Sequence, residues 1–197
     1  MELNLAFGVA ASLTLIAGFY PYIRDIFRRQ TKPHIYTWLI WSITQGTALL
    51  ALVYGNGGLF AGVGIASGAF LTFVVFLLSF KFGTKNITVI DTVTLVGALA
   101  AVVVWWQLDS PLVAVLMVAF IDGIGYVPTY RKSWSEPRTE TLSFWLLFTA
   151  GNLFALLAVA EYNLLTTSYL VTVVTASVLL IILCIYRRGV VPDAASL

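Results

Sequence analysis

The sequence predicts an all-α membrane protein of seven transmembrane helices, arranged as two parallel three-helix repeats joined by a fourth helix. Three observations lead there. Hydrophobic residues make up 60% of the 197 residues and charged residues 10%, where a soluble domain carries about 25% charged residues. The basic residues fall on alternate loops only. The chain also matches itself without gaps at a shift of 107 residues. The first observation excludes a soluble enzyme or a nucleic-acid binder, and the net charge of +2 is too small to imply a polyanionic partner.

The spans follow from the uncharged runs, since about 20 apolar residues cross the hydrocarbon core. The first is 3–23, followed by Arg24, Arg28 and Arg29 and preceded by Glu2 rather than by a basic stretch, which suits an uncleaved helix. Residues 35–80 carry no charge and are too long for one helix; Gly55-Asn56-Gly57-Gly58 divides them into 35–54 and 59–80. The fourth span is 87–107, the fifth 111–130, the sixth 141–160 and the seventh 165–186. Residues 1–81 therefore form a first bundle, 82–109 a linker with the fourth helix, 110–188 a second bundle, and 189–197 a short tail. The Gly64–Gly68 spacing suits close helix packing.

Orientation follows from the positive-inside rule. With the N-terminus outside, the inner loops hold all eleven basic residues, and the outer segments hold only Glu2, Asp109 and Glu161. Trp105 and Trp106 fall at an outer interface, where aromatic rings prefer to sit. A multi-pass protein of the plasma membrane is expected, with the lipid bilayer as its first partner.

The repeat pairs Gly18 with Gly125, Pro21 with Pro128, Arg24 with Arg131 and Trp38 with Trp145, among ten identities between residues 18 and 56. Because three helices are an odd number, the fourth restores the direction of the second bundle. The halves are then parallel, and in transporters of that kind the substrate sits between them.

The stretches Gly18-Phe19-Tyr20-Pro21-Tyr22-Ile23-Arg24 and Gly125-Tyr126-Val127-Pro128-Thr129-Tyr130-Arg131 resemble the PQ-loop family, which includes the SWEET sugar transporters. Tyr22 and Thr129 stand where that family has glutamine. The resemblance implies paired three-helix bundles, a linking helix and transport of a small molecule; in that family Trp and Asn line the sugar site.

The residues suggest where the chemistry lies. Pro21 and Pro128, each three residues after a glycine, read as paired hinges of an inner gate. Arg24, Asp25 and Arg131 read as inner-surface ion pairs, as contacts to lipid phosphates, or as gate charges. Trp38, Trp41 and Gln45 share one helix face, and Trp145, Phe148 and Asn152 repeat it. Together they read as the aromatic walls and paired amides of a substrate pocket. Asp122 is a lone carboxylate inside a span that could bind a cationic substrate, carry a coupling proton, or hydrogen-bond the sixth or seventh span. Asp91, near the start of its helix, suits the positive helix end.

With one His (His34) and one Cys (Cys184), neither a multi-histidine metal site nor an intrachain disulfide can form. No cofactor motif stands out, the seventh span has no lysine for a retinal Schiff base, and no enzyme is expected. A small-molecule transporter leads; an ion channel or a non-transporting structural or assembly protein is the alternative. A homo-oligomer is compatible with this composition.

Overall fold

The computed structural model describes residues 2–54, 59–107 and 109–192, those of 51–54 and 59–65 by backbone alone. The glycine-rich break at 55–58, the end of the tail at 193–197 and the packing of Gly64 lie outside the described residues.

Among the described residues the regular structure is helical throughout: α1 Glu2–Phe27, α2 Ile35–Tyr54, α3 Leu59–Phe82, α4 Val89–Trp105, α5 Pro111–Gly125, α6 Val127–Ser135, α7 Leu142–Leu157 and α8 Leu164–Val190, with a 3-10 turn at Pro137–Thr139. Three are long and apolar enough to cross a membrane: α1, α5 continued by α6, and α8. Residues 66–82 of α3, α4 and α7 are shorter apolar helices. The chain is a helical membrane protein.

Local chemistry sets the ends. Asn163 caps α8, its Oδ1 accepting from the backbone N–H of Leu165 (2.9 Å) and Thr166 (3.2 Å), while Thr166 Oγ1 accepts from the Asn163 N–H. α8 runs on through Gly189, so the tail is shorter than the sequence suggests. α1 ends in a Schellman motif: Arg29 N–H donates to Ile26 O and Gln30 N–H to Asp25 O. Arg29 occupies the left-handed position there, with φ 58°.

The fifth span differs from expectation. The single helix 111–130 is instead α5 and α6, broken at Tyr126, and the second part runs on to Ser135. Tyr126 N–H turns back to Gly123 O at 3.2 Å, and Pro128 has no N–H to continue the ladder. Pro21 lies inside an unbroken α1. The two prolines are therefore not structurally equivalent.

The main packing pairs are α1 with α7 and α3, α2 with α3 and α5, α7 with α8, and α5 and α6 with α8; α4 lies against α2, α5 and α6. The four basic segments meet at one end of the bundle. Lys32 N–H bonds to Thr139 O, Thr84 N–H to Pro33 O, Arg131 to Asn86 and Arg138 to the carbonyls of Arg188 and Val191. Burial is weighted to this basic end. No described residue is buried in 2–10 of α1, 99–105 of α4, 111–118 of α5, 153–157 of α7 or 164–172 of α8.

Candidate functional site

Three layers occupy the space between the helices. At the basic end lies a buried polar layer. Lys132 of α6 and Glu140, at the entry to α7, are both fully buried and form an ion pair. Lys132 Nζ also donates to Lys32 O (2.7 Å) and Thr139 O (3.3 Å). Glu140 Oε2 accepts from Trp145 Nε1 (2.9 Å) and Tyr22 Oη (3.4 Å). Thr141 donates to Asp25 Oδ2 (3.1 Å) and meets the Thr31 hydroxyl. Arg24 pairs with its neighbour Asp25 at 2.8 Å.

Asp91 does more than suit a helix end. It accepts from Thr88 N–H (2.7 Å) in a capping box and from Arg131 Nε (2.8 Å), and its Oδ2 stands 3.4 Å from His34 Nε2. Burial pushes the His34 imidazole down to about 4, against the pull of the Asp91 carboxylate; Lys132 and Arg131 push the same way as burial. His34 is thus neutral in the folded protein near pH 7. The folded value lies below the ordinary 6.5, so the unfolded chain binds the extra proton, and stability is lost as pH falls from about 6.5 towards 4. We expect His34→Phe to flatten thermal stability over that window while the parent protein declines; equal slopes would contradict a buried neutral imidazole.

Above this layer is a ring cluster. Trp41 contacts Tyr126 (4.7 Å between centroids) and Trp145 (6.1 Å), Trp38 contacts Trp41 (5.3 Å), and Phe144 and Phe148 extend the cluster on α7. Trp38, Trp41 and Trp145 are buried. The structure brings together the aromatic residues singled out in sequence, which meet one another edge to face. The two amides are separate. Gln45 Oε1 lies against Gly68 of α3, and Asn152 Nδ2 donates to Phe148 O of its own helix at 2.8 Å.

The third layer centres on Asp122 of α5, which is 4% exposed. Its Oδ2 accepts from Tyr169 Oη of α8 at 2.9 Å. Thr44 of α2 stands beside the carboxylate, yet Oδ1 and the nearby Tyr126 Oη are buried without hydrogen bonds. The break at Tyr126 leaves carbonyls for α2 to capture: Thr37 Oγ1 donates to Gly125 O (2.8 Å), Trp41 Nε1 to Asp122 O (3.2 Å), and Thr129 Oγ1 to Thr37 Oγ1 (2.9 Å).

These contacts recur at the shift of 107 residues. Thr37 meets Thr129, and their counterparts Phe144 and Tyr22 pack as tilted rings with centroids 4.5 Å apart. A Cβ on Gly125 would meet Ile40; one on Gly18 would meet Leu147, the counterpart of Ile40. Asp122 sits beside Thr44, and Leu15 presses on Gly151. Tyr126 meets Trp145 at 5.7 Å, and Phe19 meets Trp38 at 6.2 Å.

Sequence reasoning placed Asp25 among inner-surface ion pairs, as found with Arg24, but missed Tyr22, Lys132, Glu140 and Tyr169 as members of these layers. Among the described residues no group of three His, Cys, Asp or Glu side chains is placed to hold a metal. No family model matches the chain, and neither curated proteins nor solved structures gave a match.

Proposed function

We propose that the chain is a transporter that moves a small polar organic molecule, such as a sugar, nucleoside, vitamin or amine, across a membrane. It works by alternating access between the bundles 1–81 and 110–188, with α4 as linker and with seven spans oriented N-out and C-in. The observation that carries this reading is the recurrence of three inter-bundle contacts at a shift of 107 residues. A pseudo-two-fold axis along the membrane normal generates such pairs, and parallel-repeat transporters have that symmetry. The likeness to PQ-loop proteins points the same way.

In this reading the described state is closed at the basic end, by the Lys132–Glu140 layer and the rings above it. The ring cluster is a shut gate. Gln45 and Asn152 lie ten residues inside α2 and α7, about 15 Å deep at 1.5 Å per residue. They sit beyond the rings, towards the less buried opposite end, with Asp122 and Tyr169. Substrate rests on that polar layer, and Asp122 carries a coupling proton or a cationic group. Gly18 and Pro21 bend α1 without breaking it, while Gly125 and Pro128 mark the true hinge; Arg24 and Arg131 hold the gate through Asp25 and Asp91.

The test is a thermal-shift screen of sugars, amino acids, nucleosides, vitamins and organic cations, followed by proteoliposome uptake of any hit. A ligand at 100 times its dissociation constant stabilises by about 2.7 kcal/mol. Asn152→Ala should abolish that shift, and Asp122→Asn should abolish the pH dependence of uptake. Hits unaffected by Asn152→Ala would move the site elsewhere; uptake with unchanged pH dependence in Asp122→Asn would remove the coupling role.

A further inference from the structure

The geometry points to a phosphate-class anion site at the basic end, in the cavity between the ends of α1 and α3 and the loop after α6. The cavity has a volume of about 480 Å³ and is lined by Arg29, Lys32, Lys81 and Lys85, with Glu136 as its one acidic side chain. Four cations against one anion leave a net charge of three positive units in one concavity. Part of that charge is answered already. Lys32 lies 3.6 Å from Glu136, and Lys85 Nζ reaches Phe80 O at 3.4 Å. Arg29 and Lys81 are gathered over the Phe82 ring, at 5.8 and 5.4 Å from its centroid. That contact draws two like charges to one ring, a repulsion that a bound anion would relieve.

The backbone gives a second, independent sign. Arg29 is the non-glycine residue with positive φ among the described residues, at 58°. The position is the C′ site of a Schellman motif, where glycine is the usual choice because a Cβ is strained there. A strained backbone at a cation that faces a basic cavity is a mark of a functional constraint. Thr84 and Asn86 in the lining supply neutral hydrogen-bonding groups beside the cations. Arg favours bidentate recognition of phosphate, and Lys adds point charge. The cavity also lies at the level where basic side chains meet lipid headgroups. The shared chemistry is a phosphate group, borne either by an anionic lipid or by a soluble phosphate ester.

The experiment uses the purified full-length chain in neutral detergent. One arm adds phosphatidylglycerol, a second inorganic pyrophosphate, and a third phosphatidylcholine as the zwitterionic control; binding is read by native mass spectrometry and thermal shift. Binding in the first arm alone assigns a lipid headgroup, and binding in the second a soluble phosphate. In either case Arg29→Gln/Lys81→Gln should weaken it roughly thirtyfold, at about one kcal/mol for each cation near an anionic surface. Arg29→Gly is the second variant. It should raise the melting temperature without anion, by relieving the left-handed position, and still weaken binding. Absence of binding in both arms, or equal affinity in the Gln variants, would overturn the site.

Discussion

Glu140→Gln should cost about 3–5 kcal/mol of stability, the usual penalty for leaving a buried charge without its partner. Lys132 and Glu140 are both fully buried. With the carboxylate gone, Lys132 Nζ retains only the carbonyls of Lys32 and Thr139. Those dipoles do not neutralise an ammonium. A chain of this size should lose roughly 10 °C in melting temperature. The compensating variant Lys132→Met/Glu140→Gln should recover most of the loss, because the amide still accepts from Trp145 and Tyr22 while no charge remains buried. Thermal unfolding of the single and double variants separates these cases. A double variant no better than the single would mean that the hydrogen bonds, and not the charge pair, hold this layer.

The second large effect is at the contact between α1 and α7. A Cβ on Gly151 would stand 2.6 Å from Leu15 Cγ and 3.2 Å from Ala11 O. Gly151→Val must push the helices apart, and overpacking of this kind costs about 1–3 kcal/mol or more. Leu15→Ala removes the obstructing atoms, so Leu15→Ala/Gly151→Val should regain much of the stability, a coupling that a double-mutant cycle measures. Gly97→Ala on α4 serves as control, since a Cβ there meets nothing within 4 Å. Simple additivity of the Leu15 and Gly151 changes would contradict the close approach.

Much of the helix layout was legible because charge in a membrane is costly. The eleven basic residues could only sit at span ends, and the structure gathers their segments at one end. The matches Gly18–Gly125 and Trp38–Trp145 likewise fall at equivalent contacts. What escaped sequence reading was pairing across distance. Tyr22 reaches Glu140 across 118 positions, and Asp122 reaches Tyr169 across 47; no periodicity encodes such partners. Lys132 and Glu140 lie eight residues apart in a charged segment, and nothing in the sequence joins them in a buried pair. The proline pair looked symmetric because the residues match. Its asymmetry comes from α2: Thr37 and Trp41 capture the carbonyls that the break at Tyr126 releases, whereas Phe144 and Phe148, at the matching places on α7, have no donor to offer.

In the proposed transporter, closure at the basic end and opening at the opposite end are one motion. Thr31 and Thr141, assigned to different bundles in that proposal, have their hydroxyls in contact, close enough for cysteines to be joined. Spin labels on Leu50 of α2 and Leu112 of α5, attached through non-cysteine chemistry, would report the opposite end in bilayers. With Thr31→Cys/Thr141→Cys oxidised, one long Leu50–Leu112 distance is expected; on reduction, a second and shorter population should appear. An identical distance distribution in the locked and reduced protein would contradict alternating access.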